Sequence, residues 1–261
     1  MVLIPHLGFS QDWEIGLMLG GANYHGDLAP DITLSESHPA GGLLVKYNIN
    51  SFFSTSVTLT QGTISGSDAN HDHQSIRNLS FQSPISEFST QLEFNFLPFA
   101  IGLNPKNFSP FVFSGLSFYR FEPTALYRGN WIELKPLDTE GRDYASNTTY
   151  SIYQVAIPIG GGFKFAISDR INFGIALGSR YTFTDYLDDV SGLYYDKDLL
   201  EDEYGTLSAK LSDRSGEVGN YFGFNGKQRG RSDLKDWYIF GGITLSYKIR
   251  NRVCYYHKRQ Y

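Results

Sequence analysis

From Glu87 to Phe96 the chain alternates without interruption. Phe88, Thr90, Leu92, Phe94 and Phe96 fall on one side of an extended strand, and Glu87, Ser89, Gln91, Glu93 and Asn95 on the other. Side chains change face at every residue of a strand, so this segment has one apolar and one polar surface. Eight stretches of the chain read this way. A soluble sheet would cover a core with its apolar face, whereas a membrane barrel turns that face to lipid and keeps the polar one for its lumen.

The first stretch, Asp12 to Asn23, sets Trp13, Ile15, Leu17 and Leu19 against Glu14, Gly16, Met18 and Gly20. A second, from about Gly42 to Asn48, turns through Ile49-Asn50-Ser51 into a third carrying Phe53, Thr55, Val57 and Leu59. The fourth ends at Phe96, and Pro98 to Asn107 form a modest turn. The fifth, Ser109 to Phe121, alternates poorly, and its faces stay unassigned. The sixth shows Tyr153, Val155, Ile157, Ile159, Phe163 and Phe165 on one side, with Gly160-Gly161-Gly162 allowing curvature or close backbone approach. Pro158 lacks an N–H for the ladder and predicts a bulge there. Ser168-Asp169-Arg170 is a tight hairpin into the seventh stretch, with Ile171, Phe173, Ile175 and Leu177. The eighth runs from Trp237 to Ile249.

Connections after the second, fourth and sixth stretches are short, and the others are long. That asymmetry belongs to outer-membrane barrels, with short periplasmic turns and long external loops. The reading is therefore an all-β fold, an eight-stranded antiparallel transmembrane β-barrel over residues 12–249. Residues 1–11 read as the remnant of a signal or a disordered lead, and 250–261 as a basic periplasmic tail. On the lumen side the alternation places Glu14, Lys46, Glu87, Glu93, Lys164, Arg180 and Lys248. A charge facing the bilayer midplane would cost roughly 2–4 kcal/mol, so these belong inside. Trp13, Tyr47, Tyr181, Trp237 and Tyr247 lie near strand ends, as interfacial aromatics do. An interior of this size is filled by its own side chains, which argues against a diffusion pore. No apolar run suits a spanning helix. The mild net charge of -5 gives no case for nucleic acid, and the single Cys254 excludes an internal disulfide.

Signals for chemistry are weak. Asp185, Asp188, Asp189, Asp196, Asp198, Glu201, Asp202 and Glu203 cluster in the last long loop. Calcium favours such oxygen donors, but the spacing matches no EF-hand, and a solvated acidic loop is the stronger reading. His71-Asp72-His73 has the residue types of a zinc or copper site, yet two histidines on a loop read first as polar surface. His25-Gly26-Asp27 is the sole candidate for a Ser-His-Asp lipid-modifying centre, and no Gly-x-Ser-x-Gly elbow accompanies it. No catalytic residue, cofactor or metal is expected.

Several segments together resemble the PorG-like outer-membrane barrel proteins of the Bacteroidetes type IX secretion system. They are Glu14 to Asp27, Tyr47-Asn-Ile-Asn50, Arg77-Asn-Leu-Ser-Phe81, Leu92-Glu-Phe-Asn-Phe96 and Leu134 to Gly141. Tyr181 to Ser191, Leu211 to Ser215, Gln228-Arg-Gly230, Asp236-Trp-Tyr238 and Ile243 to Tyr247 complete the set. The resemblance spans almost the whole chain in order. It implies a non-enzymatic barrel in the outer-membrane lipid, accompanying a periplasmic ring of PorK and PorN type and supporting protein export or gliding. Because such a ring lies below the membrane, the short turns with Asn50, Pro98, Asn104, Asp169 and Arg170 form the expected docking face. The other readings are an OmpX-like adhesion or stress barrel acting through its external loops, and a lipid-modifying enzyme.

Overall fold

The computed structural model describes residues 12–71, 75–101, 107–141 and 149–249. The lead, the basic tail and Asn104 lie outside them. Eight long strands carry the architecture: β1 (Asp12–His25), β2 (Ser37–Asn48), β3 (Phe53–Ser67), β4 (Ser80–Asn95) and β5 (Phe108–Phe121), then β8 (Tyr153–Ala166), β9 (Ile171–Thr182) and β10 (Trp237–Ile249). Between β5 and β8 a small hairpin of β6 (Thr124–Tyr127) and β7 (Asn130–Glu133) extends the wall. Arg128 and Gly129 turn it with positive φ of 50° and 83°.

Every neighbour in the ring is antiparallel, and β1 pairs with both β2 and β10. With β3 on β4 and β5 on β8, the sheet closes on itself, leaving no edge among the eight. Closure matters because an unpaired strand edge in hydrocarbon would carry unsatisfied N–H and C=O groups. The outward face is apolar: Leu19, Leu43, Ile159 and Leu177 are between 58% and 65% exposed. A continuous apolar belt of this kind is foreign to a soluble monomer. Aromatic pairs border it at both ends, Trp13 with Tyr47 at 4.9 Å and Tyr181 with Trp237 at 5.2 Å. The protein is an outer-membrane β-barrel, with short turns at the periplasmic end and the long connections outside.

Four features depart from the sequence reading. The second strand begins at Ser37 rather than near Gly42, so the first external loop is shorter. Pro158 makes no bulge. The β5–β8 register is the same at Ser114↔Ile159 and Ser117↔Ala156, and only the two pairs between them are lost. The register shift lies instead between Ser37 and Ala40 in β2, around Pro39. β5 hid its faces because both are apolar: Val112, Leu116 and Phe118 point to lipid, while Phe111, Tyr119 and Phe121 are buried inside.

The fourth concerns the lumen. Its periplasmic half is polar, but its extracellular half is a core of Tyr24, Ile64, Phe81, Ile85, Phe121 and Tyr238 that continues into loop residues Leu28, Leu134, Leu187 and Leu211. The strands are longer than the roughly 9–11 residues a bilayer requires, so their upper ends rise clear of it and pack like a soluble domain.

Close strand approach depends on glycine at Gly162. A Cβ there would sit 2.0 Å from the carbonyl oxygen of Ile175, which is backbone and has nowhere to go. Gly162→Ala is expected to destabilise the barrel by about 1–3 kcal/mol through overpacking. A urea titration of the refolded variant, followed by tryptophan fluorescence, would reveal it; an unchanged midpoint would contradict the close approach.

Candidate functional site

Inside the periplasmic half, Glu93 takes hydrogen bonds from two lysines, Lys46 at 2.8 Å and Lys164 closer still. Lys164 also lies 4.6 Å from the Phe99 ring centre. Glu14 accepts from Asn48 at 2.6 Å, Asn172 at 3.3 Å and the Ser246 hydroxyl. One layer higher, Arg180 grips both oxygens of Glu87 at 3.1 Å, and the Tyr238 hydroxyl donates to the same carboxylate at 2.7 Å. The formal charges of Glu14, Glu87 and Glu93 thus balance those of Lys46, Lys164 and Arg180. Lys248 faces the same side at the periplasmic mouth and donates to the Ile101 carbonyl at 3.3 Å. A cavity of about 90 Å³ remains between the layers, bordered by Lys46, Glu93, Phe111, Phe113, Arg180 and Phe240. It has room for a few waters only. Phe99 and Ile101 close it below, and the aromatic core closes it above.

A second network holds the external loops together. Arg77 forks onto Asp68 at 2.8 and 2.6 Å, donates to the Asp27 carbonyl at 2.9 Å and also reaches the Arg229 carbonyl. Arg229, itself buried, donates to Glu140 at 3.0 Å, to the Ser212 carbonyl at 3.2 Å and to the Asp189 carbonyl. Glu140 further accepts from the backbone of Ser191 and Gly192. The Asp189 carboxylate accepts from Thr139 at 2.6 Å and Tyr150 at 2.7 Å. All four external connections are thereby tied into one cap.

Beneath it, the single hydroxyl of Tyr24 lies 2.8 Å from both Asp188 and Asp236. One O–H donates to one carboxylate, so the other contact requires a protonated carboxyl that donates to the hydroxyl oxygen. Burial raises both aspartates well above the ordinary range, with repulsion from Asp236 added at Asp188 and repulsion from Asp185 added at Asp236. Gly26 is obligatory beside them, since a Cβ would fall 2.1 Å from both the Asp236 carboxyl and the Tyr24 hydroxyl.

The loop is therefore not the solvated acidic stretch of the sequence reading. Asp185, Asp188 and Asp189 are buried. Asp196 caps the helix α1 (Lys197–Tyr204), which is followed by α2 (Thr206–Ser212). Only Asp198, Glu201, Asp202 and Glu203 lie on or near an exposed helical surface. Among the described residues no three acidic, histidine or cysteine side chains are grouped so as to hold a metal ion. His71 is half-buried, 3.9 Å from Glu36, and its neighbours Asp72 and His73 lie outside the described residues. His25 is exposed on the outer face, while Asp27 turns inward and accepts from the Arg231 backbone at 2.6 Å.

Burial carries Asp185 to about 7 and Asp189 to about 6. The folded values are raised, so the stabilisation is complete below the unfolded value near 4 and is lost as pH climbs through 6 and 7. Proteolysis of the 183–236 loop is expected to be slower at pH 4.5 than at pH 8, with the barrel intact at both. Equal rates would contradict the buried, protonated cluster.

The expected docking face is divided. Asp169 and Arg170 are exposed. Asn50 is half-buried and spends its side-chain oxygen on the Phe52 and Phe53 amides, at 2.8 and 2.9 Å, closing its own turn. Pro98 is also half-buried, because the neighbouring Phe99 and Ile101 are drawn into the barrel mouth.

The residues missed by sequence reasoning are Tyr24, Arg77, Glu140, Arg229 and Asp236. Each lies in a segment that carries the family resemblance: Glu14 to Asp27, Arg77 to Phe81, Leu134 to Gly141, Gln228 to Gly230 and Asp236 to Tyr238. The signal was present in those segments, but nothing local showed that they meet.

A family described as "Domain of unknown function (DUF6089)" matches residues 1–212. No curated protein matches the chain in sequence. Among solved structures, Neisserial surface protein A is similar at 8% identity and a TM-score of 0.47, over 91% of this chain and 97% of that one. The attachment invasion locus protein Ail of Yersinia pestis is similar at 7% and 0.43, over 92% and 99%. The N-terminal β-barrel domain of Pseudomonas aeruginosa OprF stands at 11% and 0.39, over 91% and 97%. The fold assignment rests on the strand pairing and closure of this chain itself.

Proposed function

This chain belongs to the DUF6089 family, and from that premise we propose that it is a non-enzymatic, non-conducting outer-membrane barrel of a type IX protein secretion system. It serves as a rigid anchor for the export machine, with a periplasmic ring of PorK and PorN type as its partner. The observation that supports this reading is convergence. The scattered segments that resemble PorG-like barrels supply the buried side chains of one extracellular cap, Tyr24, Arg77, Glu140, Asp188, Asp189, Arg229 and Asp236. Such a cap, above an interior filled by paired charges, suits a scaffold better than a conduit.

A clean deletion strain should lose secretion of exported proteins, and photo-crosslinkers at Phe52 and Asp169 should capture ring proteins in intact cells. Normal secretion in that strain, or no ring protein on either crosslinker, would remove the assignment. Purified protein should show no steps of conductance in planar bilayers. A second reading, adhesion through the cap, is favoured by one observation: Tyr221 is 98% and Phe224 63% exposed on the last loop. Shaving residues 219–226 would then abolish surface binding while secretion continues.

A further inference from the structure

The periplasmic turn between β8 and β9 sits below an external groove, and the two share residues. The groove, about 520 Å³, is lined almost wholly by apolar side chains: Ile15 and Leu17 of β1, Leu43 and Val45 of β2, and Leu245 of β10, with Ile171 and Tyr247 at its lower end. The same Ile171 and Tyr247 line a second pocket, completed by the polar side chains of Ser168, Asp169 and Arg170. The result is a continuous path from a hydrocarbon-lined slot to a charged mouth at the level of the periplasmic headgroups. We propose that this path is a binding site for one glycerophospholipid of the periplasmic leaflet, with a headgroup carrying both a phosphate and an ammonium.

Arg170 is the phosphate ligand. Its guanidinium donates to the Tyr247 hydroxyl oxygen at 2.9 Å, and no carboxylate lies within ion-pair distance of it among the described residues. Four further N–H donors remain for a planar, multidentate anion, and the Tyr247 proton stays free to join them. The turn is already fixed. The Ser168 hydroxyl accepts from the Arg170 and Ile171 amides at 3.3 and 3.1 Å, and the Arg170 carbonyl accepts from the Lys248 amide at 2.7 Å. Little ordering is left to be done on binding. Asp169 supplies the second half of the recognition. An anionic lipid would find its carboxylate repulsive, whereas an ammonium on the same headgroup pairs with it. One acyl chain then lies along Leu245, Leu17 and Leu43, which face one another across the β10, β1 and β2 register. The inference does not depend on the secretion reading, since it concerns lipid at the barrel wall.

The test is native mass spectrometry of the full chain in detergent, after exposure to phosphatidylethanolamine, phosphatidylglycerol or diacylglycerol of the same acyl composition. One phosphatidylethanolamine should be retained per barrel, and diacylglycerol should wash off. Arg170→Gln should lower phosphatidylethanolamine retention about tenfold or more, the worth of a charge-assisted hydrogen bond. Tyr247→Phe should weaken it less. Asp169→Asn should erase the preference over phosphatidylglycerol. These side chains are exposed, and heat-modifiable gel mobility would show that each variant is folded. Equal retention of diacylglycerol, or undiminished retention by folded Arg170→Gln, overturns the proposal. A preference for phosphatidylglycerol in the native chain overturns the ammonium half of it.

Discussion

Arg229→Ala is expected to open the extracellular cap while leaving the barrel folded. The guanidinium is buried and bonds three partners at once, Glu140, the Asp189 carbonyl and the Ser212 carbonyl. Its removal leaves the Glu140 carboxylate buried without its cation, and two carbonyls without their donor. Breaking a buried pair from one side typically costs about 3–5 kcal/mol, because the remaining charge keeps its desolvation penalty. That corresponds to faster opening of the loop by a factor of about a hundred or more. Trypsin should then cut at Lys197, Lys210, Arg214 and Lys227, giving discrete fragments from a barrel that keeps its heat-modifiable mobility. The paired change Arg229→Met with Glu140→Leu should recover part of the protection, since neither charge is then stranded although the backbone groups both side chains served still are. Native-like resistance in the single variant would show that the network does not hold the cap.

Glu93→Ala should strike the barrel itself. Glu93, on β4, is the shared partner of Lys46 and Lys164, which reach it from β2 and β8, two strands away on either side. Without it, two ammonium groups face each other in an enclosed interior, with Phe99 and Phe111 as their nearest rings. A loss of about 3–5 kcal/mol is expected for the stranded cations, which is a large part of a typical folding free energy. The urea midpoint of the variant, refolded into detergent micelles, should fall accordingly. Glu93→Leu combined with Lys164→Met should lose less, as only Lys46 then lacks its partner. A midpoint for Glu93→Ala equal to that of the native chain would mean the interior is wet enough to screen these charges.

The two predictions differ in how far each could be read from residues alone. Glu93 was legible as a lumen residue because it sits among Leu92, Phe94 and Phe96 with strict alternation. Arg229 was not, since Gln228-Arg229-Gly230 lies in a loop without period, and its partner Glu140 is 89 positions away. The same gap explains the acidic stretch. Asp188 and Asp189 look like solvent-facing charge until Tyr24 from β1, and Thr139 and Tyr150 from the β5–β8 connection, arrive to satisfy them. Pro98 misled in the opposite way: a short turn reads as surface, but the aromatic Phe99 beside it has an open barrel mouth to fill.

What the residues determined by themselves was the wall: the membrane-spanning strands, which face of each meets lipid in all but the fifth, and which charges must turn inward. Side-chain direction in a strand is set locally, one residue at a time, so no knowledge of neighbours was required. What only the tertiary structure decided was the partner of each inward charge, the apolar plug in the upper lumen and the cap above it. Those depend on contacts between segments far apart in sequence, and a buried ion reveals its role only when the opposite charge is brought to it.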